Sequence, residues 1–213
     1  MENTKKTVPE HAVSPVVGVM LMLVVTIIIA AVVSAFAGGM GSGTQTVPSA
    51  AIAVKIDTSA SDGMEGTTKV ISFEMLSGDS IPTKDLQIIT YFTNETGHVY
   101  KTSHTASSDG FDLYGYGTSN ARLPYLSDMS AVGSAGNNPK ADFGNYTLST
   151  GDIMKVGSTR QVADFLDLPW TAGTYPSPDT CDDASFKSGA VVDVKILHVP
   201  SGKYIYDKEV IVV

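Results

Sequence analysis

The sequence predicts an α+β protein, in which a long N-terminal hydrophobic α-helix precedes an antiparallel β-sandwich or barrel-like globular domain. Two observations support this fold class. No charged residue occurs from Val16 to Ala37, a run of about 22 residues that is apolar on every helical face. Beyond residue 50, short segments alternate between apolar and polar residues and are separated by turn sequences. The predicted parts are a leader, 1–12, a helix, 13–37, a Gly-rich hinge, 38–49, and a β-rich domain, 50–213.

The hydrophobic helix has clear start and stop signals. Ser14 can accept a hydrogen bond from a free first-turn N–H, and Pro15 suits the first helical position because it has no N–H to lose. At 1.5 Å per residue, about 22 residues form a rod about 33 Å long, which matches a hydrocarbon core of about 30 Å. The run ends at a hinge that contains Gly38, Gly39 and Gly41. Such a helix requires lipid, or equally apolar helices, around it.

Small residues in the helix predict close packing against other helices. Ala30 and Ser34 are four residues apart, as are Ala31 and Ala35, so each pair shares a helical face. Gly18 adds a notch near the helix start. Small side chains allow membrane helices to approach each other closely. The alternative is that Ala and Gly are simply common in membrane helices.

The charge distribution excludes one class of function and predicts an orientation. The chain has 22 acidic and 14 basic residues and a net charge of −8, so we expect no nucleic-acid partner. Lys5 and Lys6 precede the helix, and the next basic residue is Lys55. The positive-inside rule therefore places the N-terminus in the cytoplasm and the β-rich domain outside the cell. The run exceeds the roughly 7–15 apolar residues of a secretory signal peptide, so charge and length alone predict an uncleaved anchor.

The β-rich domain shows three hairpin signals and one short helix. The hairpins join 190–199 to 203–213, 86–92 to 98–102, and, more weakly, 145–148 to 152–156. Further strands are predicted at 51–56 and 69–76. Ser158 and Gln161 have capping-box spacing, and the apolar residues that follow predict a helix that ends before Pro169 and covers one sheet edge or face.

A long segment between these strands, Ser103–Asp142, is rich in Ser, Gly, Ala and Asn. Tyr114, Tyr116 and Tyr125 lie within it. Loops of this length are usually functional or disordered. One interpretation is an outward loop that contacts neighbouring molecules or surfaces, and the alternative is a loop that packs on its own domain through its tyrosines.

No catalytic or metal-binding constellation is evident in the sequence. No G-x-S-x-G motif occurs, and no two histidines have metal-ligand spacing; they are His11, His98, His104 and His198. Asp179, Asp182 and Asp183 surround Cys181, but their spacing fits no calcium loop. Cys181 is the only cysteine, so the chain cannot form an internal disulfide. We expect no enzymatic activity, no bound metal and no cofactor.

Two sequons predict covalent modification. Asn94-Glu95-Thr96 and Asn145-Tyr146-Thr147 lie at predicted turns or strand starts of a domain that we place outside the cell. Asn94 and Asn145 are therefore candidate N-glycosylation sites. The alternative is chance, because the N-x-S/T pattern is short and common.

The string AVSPVVGVMLMLVVTIIIAAVV, which begins at Ala12, resembles the N-terminus of archaeal type IV pilins. The strings LSTGDIMKVG and VKILHVPSGKYIYDKEVIVV resemble that family more weakly. The resemblance implies a class III signal peptide, which a membrane prepilin peptidase cuts between Ala12 and Val13. His11 stands where the family usually has Lys or Arg, which leaves cleavage between His11 and Ala12 as the alternative. The fifth mature residue, Val17, replaces the glutamate of bacterial pilins.

The resemblance also implies a life cycle. The precursor would be held in the cell membrane, and the cut subunit would enter an extracellular homopolymeric filament with its helix in the filament core. A cytoplasmic assembly ATPase and a membrane platform protein would drive this transfer. Adhesion is the expected use. The alternatives are an archaellin-like motility filament, a membrane-anchored binding domain that does not polymerise, and an anchored extracellular enzyme, which lacks a catalytic constellation.

Overall fold

The computed structural model describes residues 15–40, 46–61, 66–113, 120–128, 136, 138–173 and 179–213. The chain has two compact units, Met1–Thr44 and Gln45–Val213.

The described residues of the first unit form the helix α1, Pro15–Met40. It continues past Ala37 through Gly38 and Gly39, where the sequence predicted the start of the hinge. Glycine inside a helix costs only about 1 kcal/mol relative to alanine, so two glycines at the end of a long apolar helix do not stop it. The leader 1–12, the predicted cleavage pair Ala12 and Val13, the predicted cap Ser14, and the hinge residue Gly41 lie outside the described residues.

The second unit is a β-domain whose described residues include a short helix, α2, Thr159–Phe165. Among its described residues the strands are β1 (Ala50–Ser61), β2 (Thr67–Gly78), β3 (Ile81–Pro82), β4 (Leu86–Thr93), β5 (Val99–His104), β6 (Phe111–Asp112), β7 (Asn120–Ala121), β8 (Tyr125–Leu126), β9 (Thr147–Leu148), β10 (Ile153–Val156), β11 (Trp170–Thr171), β12 (Thr180–Cys181), β13 (Val191–His198) and β14 (Lys203–Ile211).

Two four-stranded antiparallel sheets form a sandwich, as predicted. The first sheet has the order β1-β2-β10-β8, and the second has the order β14-β13-β4-β5. Alternate residues point inward and form one core; the buried side chains include Phe73 and Met154 of the first sheet and Ile88, Val194 and Ile196 of the second. This core comes from the strict alternation of β4 and β13, which places every second side chain on the same face.

The barrel alternative is only partly realised, because the sheets join at one edge without closing. Val213 N donates to Ile56 O at 2.9 Å, and Thr58 N donates to Val213 O at 2.8 Å, so the chain end after β14 runs parallel to β1.

The short helix bridges the two sheets. The ring of Phe165 meets Phe73 of β2 edge-on with centroids 6.2 Å apart, while its backbone oxygen accepts a 2.8 Å bond from Thr102 Oγ1 of β5. The predicted cap is confirmed, because Ser158 Oγ accepts from Gln161 N at 3.3 Å. The Gln161 side chain accepts from Gly157 N at 2.7 Å, one residue before the cap, which still satisfies an N–H at the helix start.

Two of the three predicted hairpins are confirmed. β13 pairs with β14, and β4 pairs with β5 through a turn in which Gly97 N donates to Asn94 O at 2.9 Å. The third prediction is wrong, because β9 pairs with β3 and β10 lies between β2 and β8. The turn at Ser149–Asp152 leads the chain from one sheet into another, and both edges of β10 are already occupied.

The described part of the long segment 103–142 packs on its own domain. Leu113, Ala121, Leu123 and Leu126 are buried in the core, and β6 pairs with β7. Tyr146 Oη donates to Pro124 O at 3.0 Å and anchors the segment further. The interpretation as a packed loop therefore holds for these residues, whereas Tyr114 and Tyr116 lie outside the described residues.

Candidate functional site

The surface of α1 is the most unusual feature of the chain. Every side chain from Pro15 to Phe36 is exposed, and none of them is charged. By length and composition this stretch is able to cross a membrane. The hydroxyl of Thr26 donates to Leu23 O at 2.8 Å, so this polar group is satisfied within the helix and does not interrupt the apolar surface.

The small residues on α1 form a candidate contact surface. Ala30 and Ser34 occupy one helical face, and Ala31 and Ala35 occupy the adjacent one, because residues four apart in a helix lie one above the other. A Cβ atom added to Gly18 would meet nothing within 4 Å. The position therefore has room for a group from a neighbouring helix.

The physical consequence of this surface follows from burial energies. Each fully exposed apolar side chain costs about 1.5–3 kcal/mol relative to a buried one, so α1 cannot remain in water. Lipid and a bundle of similar helices both bury these apolar side chains, so the hydrophobic effect does not favour one over the other. The choice between them depends on close packing, for which small residues are the main determinant.

The first sequon lies in a tightly bonded turn. Asn94 Oδ1 accepts from Thr96 Oγ1 at 2.6 Å and from His98 N at 2.9 Å, and Asn94 Nδ2 donates to Asp183 Oδ2 at 3.1 Å. The half-buried amide therefore joins the β4–β5 turn to the loop before β13. Lys187 Nζ and Glu95 Oε1, 2.8 Å apart, add an ion pair between the same two segments.

The second sequon is more open. Asn145 is exposed, and its Nδ2 donates to Pro139 O at 2.8 Å. The middle residue of this sequon, Tyr146, is buried, and burial raises the pKa of its phenol. Glycosylation stays a prediction at both positions.

The acidic residues around Cys181 do not converge on one point. Asp179 accepts from Gly173 N, Asp182 accepts from the hydroxyls of Thr171 and Thr180, and Asp183 accepts from Ser185 N and Asn94; the distances lie between 2.6 and 3.1 Å. Each carboxylate thus fixes a different loop connection. Within the described residues, no group of three or more His, Cys, Asp or Glu side chains is placed to hold a metal ion. Burial raises the pKa of the Cys181 thiol, which makes it less reactive.

The described histidines also have structural partners. His198 is buried, and its Nδ1 lies 2.9 Å from Ser201 Oγ. His98 meets the ring of Tyr100 edge-on. His104 stacks on Phe165, and burial lowers the pKa of its imidazole. These contacts give each histidine a role in packing.

One group that sequence reasoning missed is the clamp around Arg160 of α2. Its guanidinium lies 5.0 Å from the ring centroid of Phe111 and 4.8 Å from that of Trp170, which ties β6 and β11 to the helix. The two aromatic residues are far apart in sequence, so no local pattern indicates this arrangement.

Searches of the curated proteins and of the solved structures gave no match. Residues 11–52 match the family model described as Archaeal Type IV pilin, N-terminal, and this match, which includes the whole of α1, confirms that the N-terminal segment resembles that of archaeal type IV pilins.

Proposed function

We propose that the protein is the structural subunit of an extracellular archaeal type IV pilus and that it polymerises through α1. The observation that carries this proposal is an uncharged helix, exposed along Pro15–Phe36, that precedes a β-sandwich with its own buried core. A helix of this kind serves first as a membrane anchor and then as one of the helices packed in a filament core. The family match over residues 11–52 supports the same role.

Processing is the first step of this proposal. A prepilin peptidase cuts between Ala12 and Val13 and leaves α1 on the mature subunit. The subunit waits in the cell membrane with its N-terminus in the cytoplasm, as Lys5 and Lys6 favour.

Assembly is the second step. Transfer of α1 from lipid to a helix bundle gains little from the hydrophobic effect, because both surroundings are apolar. Close packing at Gly18, Ala30, Ala31, Ser34 and Ala35 supplies the specificity, and an assembly ATPase with a membrane platform protein supplies the work. The hinge between helix and domain then follows Gly38 and Gly39, which the structure places inside α1. The exposed β-domains then cover the filament, for which adhesion is the proposed use.

Three other functions remain as alternatives. An archaellin-like motility filament would share the helix and a β-domain in outline, although the string from Ser14 to Val19 favours a pilin. A membrane-anchored binding domain would keep its leader and would never leave the membrane. An anchored extracellular enzyme is the third alternative, and the lack of a catalytic motif in the sequence counts against it.

The proposal is tested by shearing filaments from cells and sequencing the N-terminus of the main band. We expect Val13 as the first residue, and a start at Ala12 would move the cut by one bond without changing the proposal. Cells that lack the prepilin peptidase are the control, in which the chain should keep its leader and stay in the membrane fraction. A chain that starts at Met1 or Glu2 in wild-type cells and occurs only in membranes would establish the anchored domain instead.

A further inference from the structure

The outer face of the second sheet carries an apolar row at one end. The strand register places Val191 opposite Ile211, and Thr93 opposite Val99. Val192 pairs with Phe92, so Val191 and Thr93 lie side by side and one row crosses all four strands. The exposed fractions are 64% for Ile211, 43% for Val191 and 53% for Val99. We call Ile211, Val191, Thr93 and Val99 the end row.

The next row on the same face is charged at both ends. Glu209 lies opposite Asp193, which lies opposite Tyr91, which lies opposite Lys101. An acid therefore occupies the β14 side and a base the β5 side. Three strand spacings of about 4.8 Å separate them by about 14 Å, which is too far for a direct ion pair within one chain.

The charges at the two ends lack ionic partners. Among the residues that the structure describes, neither Glu209 nor Lys101 forms a salt bridge, whereas Lys195 bonds to both Asp193 and Asp207. Glu209 stands directly opposite Asp193, and like charges in directly opposed cross-strand positions are destabilising. A cation from outside the chain would relieve this repulsion. Lys101 Nζ lies over the Tyr91 ring at 5.3 Å and remains available to an anion.

We infer that this face is a contact surface between copies of the chain, with Ile211 and Glu209 of one copy meeting Val99 and Lys101 of the next. The two sides of the face are complementary to each other, apolar to apolar and acid to base, which identifies a second copy as the occupant. A contact that joins two different sides of a molecule repeats head to tail, and such contacts generate helical filaments. The inference rests on the proposed function in one respect: assembly through α1 holds neighbouring domains at high effective concentration, so a weak contact suffices.

The first test exchanges the charges. Lys101→Glu and Glu209→Lys should each lower the recovery of sheared filaments and the temperature at which they dissociate, whereas the double variant Lys101→Glu/Glu209→Lys should restore both. Ile211→Asp should weaken each contact by about tenfold or more, because it removes one apolar side chain that the contact between copies would bury. Lys84→Glu and Leu76→Asp are the controls, because these residues are also exposed and lie outside the second sheet.

The second test measures the contact directly. In a Cys181→Ser background, Val99→Cys and Ile211→Cys are combined in one chain, and purified filaments are oxidised. The two positions are too far apart within one chain for a disulfide, so a ladder of covalent dimers and higher species reports a contact between copies. Each single cysteine variant is the control and should give no ladder beyond dimers.

The outcomes separate this contact from the proposed function. Normal filaments from Ile211→Asp and Lys101→Glu, without a ladder from the double cysteine variant, would overturn the contact and leave the pilus proposal intact. Absence of the wild-type chain from any filament would overturn both.

Discussion

The imidazole of His104 lies flat against the ring of Phe165, with the ring centroids 4.0 Å apart and the planes 9° from parallel. Its Nε2 lies 2.9 Å from the backbone oxygen of Phe165, which also accepts from Thr102. Strand β5 thereby holds the end of α2. Because burial lowers the pKa of His104, the neutral imidazole is the form that fits this site.

The β-domain should therefore lose stability in mild acid. The unfolded chain binds a proton on His104 near the ordinary pKa of about 6.5, and the folded chain binds it at lower pH. The contribution is complete above the unfolded pKa and is lost as the pH falls through the folded pKa. We expect the free energy of unfolding of the detergent-solubilised chain, measured with urea, to fall between pH 7 and pH 5.

A variant comparison isolates His104 from the other groups. His104→Gln keeps an N–H donor but does not titrate, so its unfolding energy should depend less on pH over this range. His98→Gln controls for the same exchange outside this site, since His98 contacts the ring of Tyr100. Asp164 lines the same cavity as His104, and burial raises the pKa of its carboxyl. Protonation of Asp164 therefore stabilises the folded chain as the pH falls, which is opposite to the effect of His104. An unchanged pH dependence in His104→Gln would show that other groups cause the effect.

Enlarging small residues on α1 should block assembly and leave membrane insertion intact. Ala31→Leu and Gly18→Leu add bulk where we propose close helix contacts, and overpacking typically costs about 1–3 kcal/mol per site. An added Cβ at Gly18 meets no described atom within 4 Å, so the added bulk is directed toward neighbouring helices. Filament yield after shearing, relative to the amount in membranes, is the measurement.

Ile29→Leu is the matched control for these helix variants, since it changes shape but not volume. It should give wild-type filament yield. Wild-type yield from Ala31→Leu would instead show that Ala31 is not a tight contact.

The two sequons should respond differently to mutation. Asn94→Ala removes the bond that ties the β4–β5 turn to Asp183 and the bond from His98 N within the turn, so we expect a loss of about 1–3 kcal/mol of stability. Asn145→Ala removes one exposed bond and should cost less than about 1 kcal/mol. Urea unfolding of both variants decides this comparison.

Intact mass of the filament protein tests the glycosylation prediction at the same residues. We expect a mass above that of the mature polypeptide, and Asn145→Gln and Asn94→Gln should each reduce it by one glycan. A wild-type mass equal to the bare polypeptide would rule out modification at both sequons.

Gly78 should tolerate no side chain. Its φ is +122°, and an added Cβ would lie 2.7 Å from Ala50 Cα and would also collide with the Ser49 carbonyl oxygen. Gly78→Ala should therefore cost at least about 2 kcal/mol, whereas Gly97→Ala, with φ of +85° and open space around it, should cost about 1 kcal/mol. Equal losses in thermal unfolding of the two variants would indicate that the loop at Ser49 moves aside.

Local signals were sufficient for several elements. The cap at Ser158 and the hairpins around Asn94 and Gly202 each depend on residues within a few positions of one another, and the structure has them as predicted. Periodicity and turn residues act over the same short range, so the sequence alone carries this information.

Only the tertiary structure decided which distant segments meet. β10 pairs with β2 and β8 rather than with β9, Val213 joins Ile56, Arg160 lies between Phe111 and Trp170, and Glu209 shares a row with Lys101. Such pairings depend on which strand edges remain free and which side chains fill the common core. A pattern of alternating residues predicts which face of a strand is apolar, but it does not predict which other strand pairs with it.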